Sequence, residues 1–201
     1  MWKTLVYVDE YGKKISKAKE RKEQILAETY IDLSCCVLEL GARYGSVSCI
    51  TNKKLGDKTR HVVVEPDERV WSALETNKEK NSCSFHIVKG FISKKKLRLV
   101  DMDAWYGYGT SSEEDIHSKI PSISLEEIQE QYGLKFDTLI ADCEGFLETF
   151  FEENPWFYDQ LRIIIFEKDC PKKCNYKKIK KVLEEKGFVQ KVGLFREVWT
   201  K

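Results

Sequence analysis

Short apolar runs alternate along this chain with longer segments in which apolar residues recur every three or four positions. The runs have the length of buried strands, and the longer segments have the period of helices that pack by one face. Strands that alternate with helices are typical of a parallel sheet covered by helices. Five runs predict strands, at residues 35–40, 61–65, 85–88, 137–141 and 161–166.

Helices are predicted between these strands. Ser124 and Glu127 have the spacing of a capping box and indicate the start of one helix. Asn154-Pro155 indicates the end of the next helix, which begins after residue 145. Residues 94–119 follow neither period and predict a loop. The remaining helices are predicted at residues 14–30, 45–55, from 66 onwards, and 175–186. The segments 188–192 and 196–199, joined across Gly193, predict an antiparallel hairpin at the end of the sheet.

Composition narrows the function classes. The 201 residues carry 34 Lys and Arg against 33 Asp and Glu, a formal net charge of +1, so no global field draws the chain to nucleic acid or to an anionic membrane. No apolar run approaches the roughly 18 residues of a membrane span, and the N-terminus does not resemble a secretion signal. Seven cysteines without a C-x-x-C pair indicate reduced thiols rather than a zinc site. We expect a single-domain cytoplasmic protein.

The ends of the predicted strands hold the candidate chemistry, because ligands of open parallel sheets bind beyond the carboxyl ends of the strands. Gly41 and Gly45 bracket the turn after the first strand, where glycine allows a close backbone approach. Glu65 ends the second strand, and a carboxylate there accepts both hydroxyls of a ribose. Together these residues indicate an adenosine-containing cofactor. The alternative is a tight strand–helix turn beside an ordinary solvated glutamate.

Two observations favour a cofactor other than NAD. Arg43 stands where a dinucleotide fold has its second glycine, and the chain has no separate substrate domain. Parallel strands that end in an antiparallel hairpin are the sheet of the class I methyltransferases. The segment 37–45 resembles the first motif of that superfamily, and Val64-Glu65-Pro66 resembles its acidic second motif.

Three further segments carry a narrower resemblance. Residues 123–128, residues 136–145 with Asp142-Cys143-Glu144-Gly145, and residues 163–167 are similar to the FkbM family of methyltransferases. The similarity spans residues 37–167, and the D-x-E-G motif is its most specific part. The chain has Glu39 where the family typically has aspartate, Arg43 where it has asparagine, and Cys143 where it has an aliphatic residue. We therefore expect a three-layer α/β class I methyltransferase fold, with an N-terminal cap and helix at 1–34 and a Rossmann-like core at 35–201.

The resemblance implies S-adenosylmethionine-dependent O-methylation of a sugar hydroxyl on a glycan or glycoconjugate. Cofactor contacts are expected from the three strand ends and their turns. These residues are Glu39, Gly41, Ala42, Arg43, Tyr44, Gly45, Ser46, Glu65, Pro66, Gly90, Phe91 and Asp142.

An alcohol acceptor needs its proton removed or its oxygen polarised during transfer. Asp142 is the first candidate for this role, followed by Glu144 and by His117 in the polar loop. The alternatives are carboxylates that stabilise a helix N-terminus and a histidine exposed on the surface.

Asp142, Glu167 and Asp169 place three oxygen ligands on neighbouring strand ends. By analogy with sugar O-methyltransferases that chelate a substrate diol, they are candidates for a Mg²⁺ or Mn²⁺ site. The alternative is a set of carboxylates that are solvated or paired with Lys168.

The aromatic residues Trp105, Tyr106 and Tyr108 in the polar loop predict a substrate cover that stacks on a sugar. Three other functions remain open, and one of them is methylation of a different small molecule. The basic stretch 172–181 is compatible with a nucleic-acid methyltransferase, although its lysines have the spacing of a solvated helix face. A non-catalytic methyltransferase-like module is the third alternative. The sequence also leaves open a place in a larger glycan-building polypeptide or complex.

Overall fold

The protein is described here by a computed structural model that covers residues 4–16, 20–101 and 110–201. The strands are β1 (Val37–Leu40), β2 (His61–Glu65), β3 (His86–Lys89), β4 (Phe91–Ile92), β5 (Leu97–Asp101), β6 (Thr110–Glu114), β7 (Ser122–Ile123), β8 (Thr138–Ala141), β9 (Ile163–Glu167), β10 (Val189–Val192) and β11 (Arg196–Thr200). The helices are α1 (Arg21–Tyr30), α2 (Ser46–Lys54), α3 (Trp71–Lys80), α4 (Leu125–Tyr132), α5 (Leu147–Glu153), α6 (Phe157–Gln160) and α7 (Tyr176–Glu185).

Seven strands form the central sheet in the order β10-β11-β9-β8-β1-β2-β3. β1 pairs in parallel with both β2 and β8, and β8 pairs in parallel with β9. β11 lies antiparallel between β9 and β10. The predicted parallel sheet with an antiparallel C-terminal hairpin is therefore confirmed.

Two apolar clusters cover the two faces of this sheet. Successive side chains of a strand point to opposite faces, so Ile164 and Phe166 of β9 pack toward α4, α5, α6 and α7. Ile163 and Ile165 pack on the other face, toward α1, α2 and α3. The result is the expected three-layer arrangement, in which each helix buries one apolar stripe against the sheet. Across the described residues, no helix has both the length and the apolar character needed to cross a membrane.

The structure differs from the sequence prediction in two segments. The region predicted as a loop contains the antiparallel hairpin β5–β6, and β4 pairs in parallel with β7 beside it. The first helix begins at Arg21, because Glu20 adopts a left-handed conformation with φ of 57°. Both changes bring residues over the carboxyl end of the sheet.

Candidate active site

A cavity lies at the carboxyl ends of β1, β2 and β8. The strand order runs outward from β1 toward β3 on one side and from β8 toward β9 on the other, so this is the switch point at which open α/β sheets bind ligands. The lining residues are Glu20, Leu40, Gly41, Arg43, Val64, Glu65, Pro66, Gly90, Phe91, Ile92, Leu99, Thr110, Ser111, Ser112, Asp142, Cys143, Glu144 and Phe146.

Gly41 allows the ends of β1 and β8 to approach each other. Its φ is +82°, and a Cβ atom added there would lie 1.8 Å from the backbone oxygen of Asp142. Any side chain would push the two strand ends apart. The glycine thus sets the backbone positions of both the turn after β1 and the D-x-E-G segment after β8.

Glu65 ends β2 as a buried carboxylate with its charge partly satisfied by the backbone. Its Oε2 accepts a hydrogen bond from the Arg43 N–H at 2.6 Å, and its Oε1 accepts one from the Asp67 N–H at 2.8 Å. Each oxygen keeps one further lone pair, so two acceptor positions remain for hydroxyl donors. Burial raises the pKa of Glu65 to about 7.

A smaller compartment continues from the first one under α1. The two share Glu20, Leu40, Gly41 and Asp142, and the smaller one adds Glu23, Glu167 and Arg196. Its charged lining is mostly acidic, so it is suited to a cationic group. Ala42 and Glu39 also line this compartment rather than the main cavity.

Glu39 already has protein partners. It is 2% exposed; Ser48 Oγ donates a hydrogen bond to its Oε1 at 2.6 Å, and His61 Nε2 lies 3.0 Å from its Oε2. The side chain therefore fastens β1 to β2 and α2. Glu39, a predicted cofactor contact, lines the smaller compartment and not the main cavity.

Tyr44, Gly45 and Ser46 are placed by the structure outside both sets of lining residues. Tyr44 packs against Val70 and Ala73, and its hydroxyl donates a hydrogen bond to a Glu10 carboxylate oxygen at 2.5 Å. The sequence predicted direct cofactor contacts for Tyr44, Gly45 and Ser46 from their positions in and next to the segment 37–45. The turn after β1 carries Tyr44 and Gly45 toward α3 and begins α2 at Ser46, and the contacts of all three residues hold this turn.

Gly45 and Ser46 show how the turn is held. Gly45 has φ of +75°, and a Cβ atom there would lie 2.8 Å from Leu74 Cδ1, so glycine lets α2 begin close to α3. Ser46 Oγ accepts a hydrogen bond from Gln24 Nε2 at 3.3 Å and donates one to Glu20. Ser46 thereby ties the start of α2 to the residue that closes the cavity.

The D-x-E-G segment forms an acidic cluster with the chain after β9. One carboxylate oxygen from each of Asp142, Glu144 and Asp169 lies within 4.8 Å of the others. Burial, reinforced by the neighbouring Glu167 and Asp169, raises the pKa of Asp142 well above its usual range. Burial and Asp169 raise the pKa of Glu144 to about 7. Asp142 and Glu144 therefore bind a proton more tightly than ordinary carboxyl groups do.

Asp169 is positioned by two hydrogen bonds. The Glu144 N–H donates to its Oδ2 at 2.7 Å, and the Tyr176 hydroxyl donates to its Oδ1 at 2.5 Å. These bonds join the end of β9, the start of α7 and the D-x-E-G turn. Glu144 has φ of 48°, and the turn that this allows brings its backbone to Asp169.

The structure changes the set of predicted metal ligands, because the Glu167 carboxylate pairs with Arg196 and is not one of the three that converge in this cluster. Glu167 is the last residue of β9 and lies opposite Arg196 in the antiparallel register with β11. Arg196 Nη2 is 3.1 Å from its Oε2. Burial and a hydrogen bond with Glu23 raise the pKa of Glu167 to about 8. Glu144 takes the place that the sequence assigned to Glu167.

His117 is also placed away from the cavity. It is exposed in the turn after β6, where its N–H donates to Asp115 Oδ1 at 2.9 Å, and it is not among the described lining residues. Among the described residues, no contact joins His117 to the acidic cluster. The aromatic residues Trp105, Tyr106 and Tyr108 lie outside the described residues.

Several lining residues were not predicted individually, although they lie in the predicted N-terminal cap at 1–34 and in the polar loop at 94–119. Glu20 comes from the N-terminal segment and lines both compartments, and burial raises its pKa. Leu99 and Ser111 enter from the β5–β6 hairpin. None of these residues follows a strand of the central sheet, so the rule that located the other candidates does not find them.

The arrangement suits a ligand with a polyol and a cationic part. Hydroxyl groups match the free acceptor positions of Glu65, and a positive charge matches Glu20, Asp142 and Glu144. Arg43 is the one cationic residue among the described residues that line the main cavity, and it suits a carboxylate. Apolar surface from Phe91 and Phe146 provides a face for a ring.

Similarity to solved structures is confined to the fold. No protein-family model matches the sequence, and no curated protein is significantly similar to it. A precorrin-6y C5,15-methyltransferase from Geobacter metallireducens superposes with a TM-score of 0.57 at 13% identity, covering 93% of this chain and 91% of that one. An O-methyltransferase from Bacillus cereus in complex with SAH gives a TM-score of 0.53 at 15% identity, covering 93% and 82%.

A third similar structure has a different substrate in its name. The ribosomal protein L11 methylase from Lactobacillus delbrueckii subsp. bulgaricus gives a TM-score of 0.52 at 12% identity, covering 97% of this chain and 79% of that one. Structural similarity at such low identity establishes the architecture. This chain has the Rossmann-like α/β fold of methyltransferases, with a mostly parallel sheet and an antiparallel C-terminal strand pair.

Proposed function

We propose that this chain is an S-adenosylmethionine-dependent O-methyltransferase that acts on a sugar hydroxyl of a glycan or glycoconjugate. One observation carries the proposal: a single cavity at the switch point of a methyltransferase fold is lined by Gly41, Glu65 and Asp142. Each of these residues was predicted as a cofactor contact from its position at the end of a strand.

The donor set fits this cofactor. The two remaining acceptor positions of Glu65 match the two ribose hydroxyls, and Phe91 lies beside them as a face for the adenine. Glu20 and Asp142 match the positive charges of the methionine end, and Arg43 matches its carboxylate. When bound, the cofactor supplies an electrophilic methyl group on a sulfonium.

Asp142 is assigned the role of general base toward the acceptor hydroxyl. A raised pKa makes its carboxylate a better proton acceptor, and its position at the tip of β8 puts it beside the cofactor residues. Glu144 is two residues further on, at the same cluster, and is assigned to the acceptor side. The choice of a sugar hydroxyl rests on the resemblance to the FkbM family.

A Mg²⁺ or Mn²⁺ ion is proposed as an additional component of this cluster. Carboxylate oxygens are the ligands that such ions prefer, and Asp142, Glu144 and Asp169 are the described residues that would hold it. The ion would neutralise the cluster and orient two neighbouring hydroxyls of a sugar. The chain's part is to fix Asp169 through Tyr176 and the Glu144 N–H.

Thermal-shift titrations test the cofactor directly. We expect S-adenosylmethionine and S-adenosylhomocysteine to stabilise the protein, by about 2.7 kcal/mol at 100 times Kd, and NAD to have no effect. Glu65→Ala should abolish the shift, whereas Glu130→Ala, an exposed carboxylate on α4, should keep it. No response to either sulfur compound would contradict the proposal and favour a non-catalytic module, and a response to NAD alone would indicate a dinucleotide enzyme.

A further inference from the structure

An open groove of about 850 Å³ lies beside the active site, outside the cavity described above. It runs between the segment that follows β9, the start of α7 and the turn between β10 and β11. Its residues are Glu148, Lys168, Pro171, Lys172, Lys173, Cys174, Asn175, Tyr176, Lys177, Lys180, Leu194 and Phe195. We refer to it as the lysine groove.

Positive charge is concentrated in this groove, although the whole chain is nearly neutral. Five lysines and one glutamate line it, in a chain whose net charge is +1. Lys168 and Lys180 both contact the buried carboxylate of Glu197, at 2.8 and 3.3 Å. Lys172 and Lys177 are exposed, and within the described part of the chain neither is recorded in an ion pair.

The turn between β10 and β11 adds an apolar side to the groove. Leu194 is 82% exposed and Phe195 is 50% exposed. Phe195 is held in place by its backbone oxygen, which accepts a hydrogen bond from the Lys168 N–H at 2.8 Å. An exposed aromatic ring beside lysines offers a stacking face for the ring of an anionic ligand.

Two contacts join the groove to the active site. Lys173 Nζ donates a hydrogen bond at 2.5 Å to Ser111 Oγ, and Ser111 lines the cofactor cavity. Tyr176 donates from its hydroxyl to Asp169, a member of the acidic cluster. A ligand whose reacting hydroxyl is at Asp142 would therefore extend past Lys173 into the groove.

We propose that the lysine groove binds a phosphate ester of the acceptor, so that the substrate is a sugar phosphate or a nucleotide-linked sugar. This inference rests on the proposed methyltransferase function. Lysine ammonium groups bind phosphate as point charges, and the dipole at the N-terminus of α7 adds a favourable field. The acidic cluster repels such a group, so the phosphate lies in the groove and the neutral hydroxyl lies at Asp142.

The number of available lysines favours a small phosphorylated molecule over a polymer. A protein that binds duplex nucleic acid tightly makes about 6–10 phosphate contacts. Here Lys172 and Lys177 are the groove lysines without a recorded side-chain partner, and Lys173 borders the cavity. Two or three cations match one phosphate or diphosphate.

The experiment is a ligand-observed NMR titration at low ionic strength, in the presence of saturating S-adenosylhomocysteine. The probes are UDP-glucose, glucose 1-phosphate and, as the uncharged reference, glucose. The groove variant is Lys172→Glu/Lys177→Glu, with Lys172→Gln/Lys177→Gln as a milder form. The matched control is Lys58→Glu/Lys135→Glu, two exposed lysines at the opposite end of the strands.

We expect at least one phosphorylated probe to bind more tightly than glucose, and the groove variant to weaken that binding by about tenfold or more. The control should change it by less than about twofold, and all variants should bind S-adenosylhomocysteine as the wild type does. Equal binding to wild type and groove variant, or no preference for the phosphorylated probes, would overturn the inference.

Two further measurements separate this inference from its alternatives. Preferential binding to a single-stranded oligonucleotide or to phosphatidylserine vesicles, lost in the groove variant, would overturn it in favour of a polymer or a membrane surface. If the wild-type protein does not bind S-adenosylhomocysteine, the proposed function itself is overturned. Intact cofactor binding without a phosphate preference would overturn the groove assignment alone.

Discussion

Replacing Glu65 by glutamine tests the central residue of the proposed cofactor site. The substitution keeps the shape of the side chain, removes its charge and turns one acceptor oxygen into a donor. In the wild type, both oxygens accept backbone hydrogen bonds, from Arg43 and from Asp67. The variant loses one of these bonds or one acceptor position for the ribose, and either loss is measurable.

The magnitude follows from the pKa of Glu65, which burial raises from 4.5 to about 7. A carboxyl group with a raised pKa binds its proton more tightly in the folded state. The contribution of this group to the free energy of unfolding is therefore complete below pH 4.5 and is lost as the pH rises through 7. At 1.36 kcal/mol for each pKa unit the full shift corresponds to about 3.4 kcal/mol, of which the wild type loses about 2.5 kcal/mol of stability between pH 5 and pH 8.

The glutamine variant does not titrate, so its stability should fall less over the same range. At pH 5 we expect it to be less stable than the wild type by about 1–3 kcal/mol, the cost of an unmet buried hydrogen bond. By pH 8 the difference should shrink or change sign. Cofactor affinity should fall by about tenfold or more, because a hydrogen bond to a charged acceptor contributes about 1.5–3 kcal/mol.

Urea unfolding at several pH values between 5 and 8, without cofactor, measures this difference. Glu130→Gln is the control, since that side chain is exposed on α4. The other acidic residues of the site titrate in both proteins, so the gap between the two stability curves isolates Glu65. Parallel curves for variant and wild type would refute the reasoning about its burial.

Three further predictions test the strand ends and the acidic cluster. Gly41→Ala should destabilise the fold by about 2–4 kcal/mol in denaturant titrations, because its Cβ would meet the Asp142 carbonyl oxygen, whereas Gly133→Ala, with φ of +63° and nothing within 4 Å, should cost about 1 kcal/mol. Similar costs at the two glycines would contradict the close approach. Asp142→Asn should lower kcat at saturating S-adenosylmethionine by about a hundredfold or more; a variant with normal kcat would exclude Asp142 as the base. Chelation should abolish turnover and Mg²⁺ or Mn²⁺ should restore it, with Glu144→Gln raising the metal concentration needed; undiminished activity after chelation would rule the ion out.

The sequence located much of this site because one physical rule connects position in the chain with position in space. The carboxyl ends of parallel strands meet at one edge of the sheet, so residues that follow separate strands come together. Gly41, Glu65 and Asp142 were found in this way, and all three line the cavity. The glycine at position 41 can also be interpreted from the local sequence, because glycine adopts a positive φ more easily than other residue types do.

The rule does not give the direction in which a side chain points. Glu167 ends β9 and Asp169 follows it, but the antiparallel pairing of β9 with β11 brings Glu167 to Arg196 and leaves Asp169 at the cluster. Glu39 was predicted as a cofactor contact, and its nearest partners are Ser48 and His61. These pairings depend on the register of neighbouring strands, which the local pattern does not specify.

The sequence by itself determined the alternation of strands and helices, the hairpin at the end and the acidic residues at the ends of β2, β8 and β9, because these follow from periodicity and residue type. Only the tertiary structure decided which of those acids share a cavity, that Glu20 closes it from the N-terminal segment, and that lysines at the start of α7 border it. Contacts of this kind join residues far apart in sequence: Ser111 and Lys173 are 62 positions apart yet form one hydrogen bond. Their energy comes from packing in three dimensions, which no local pattern encodes.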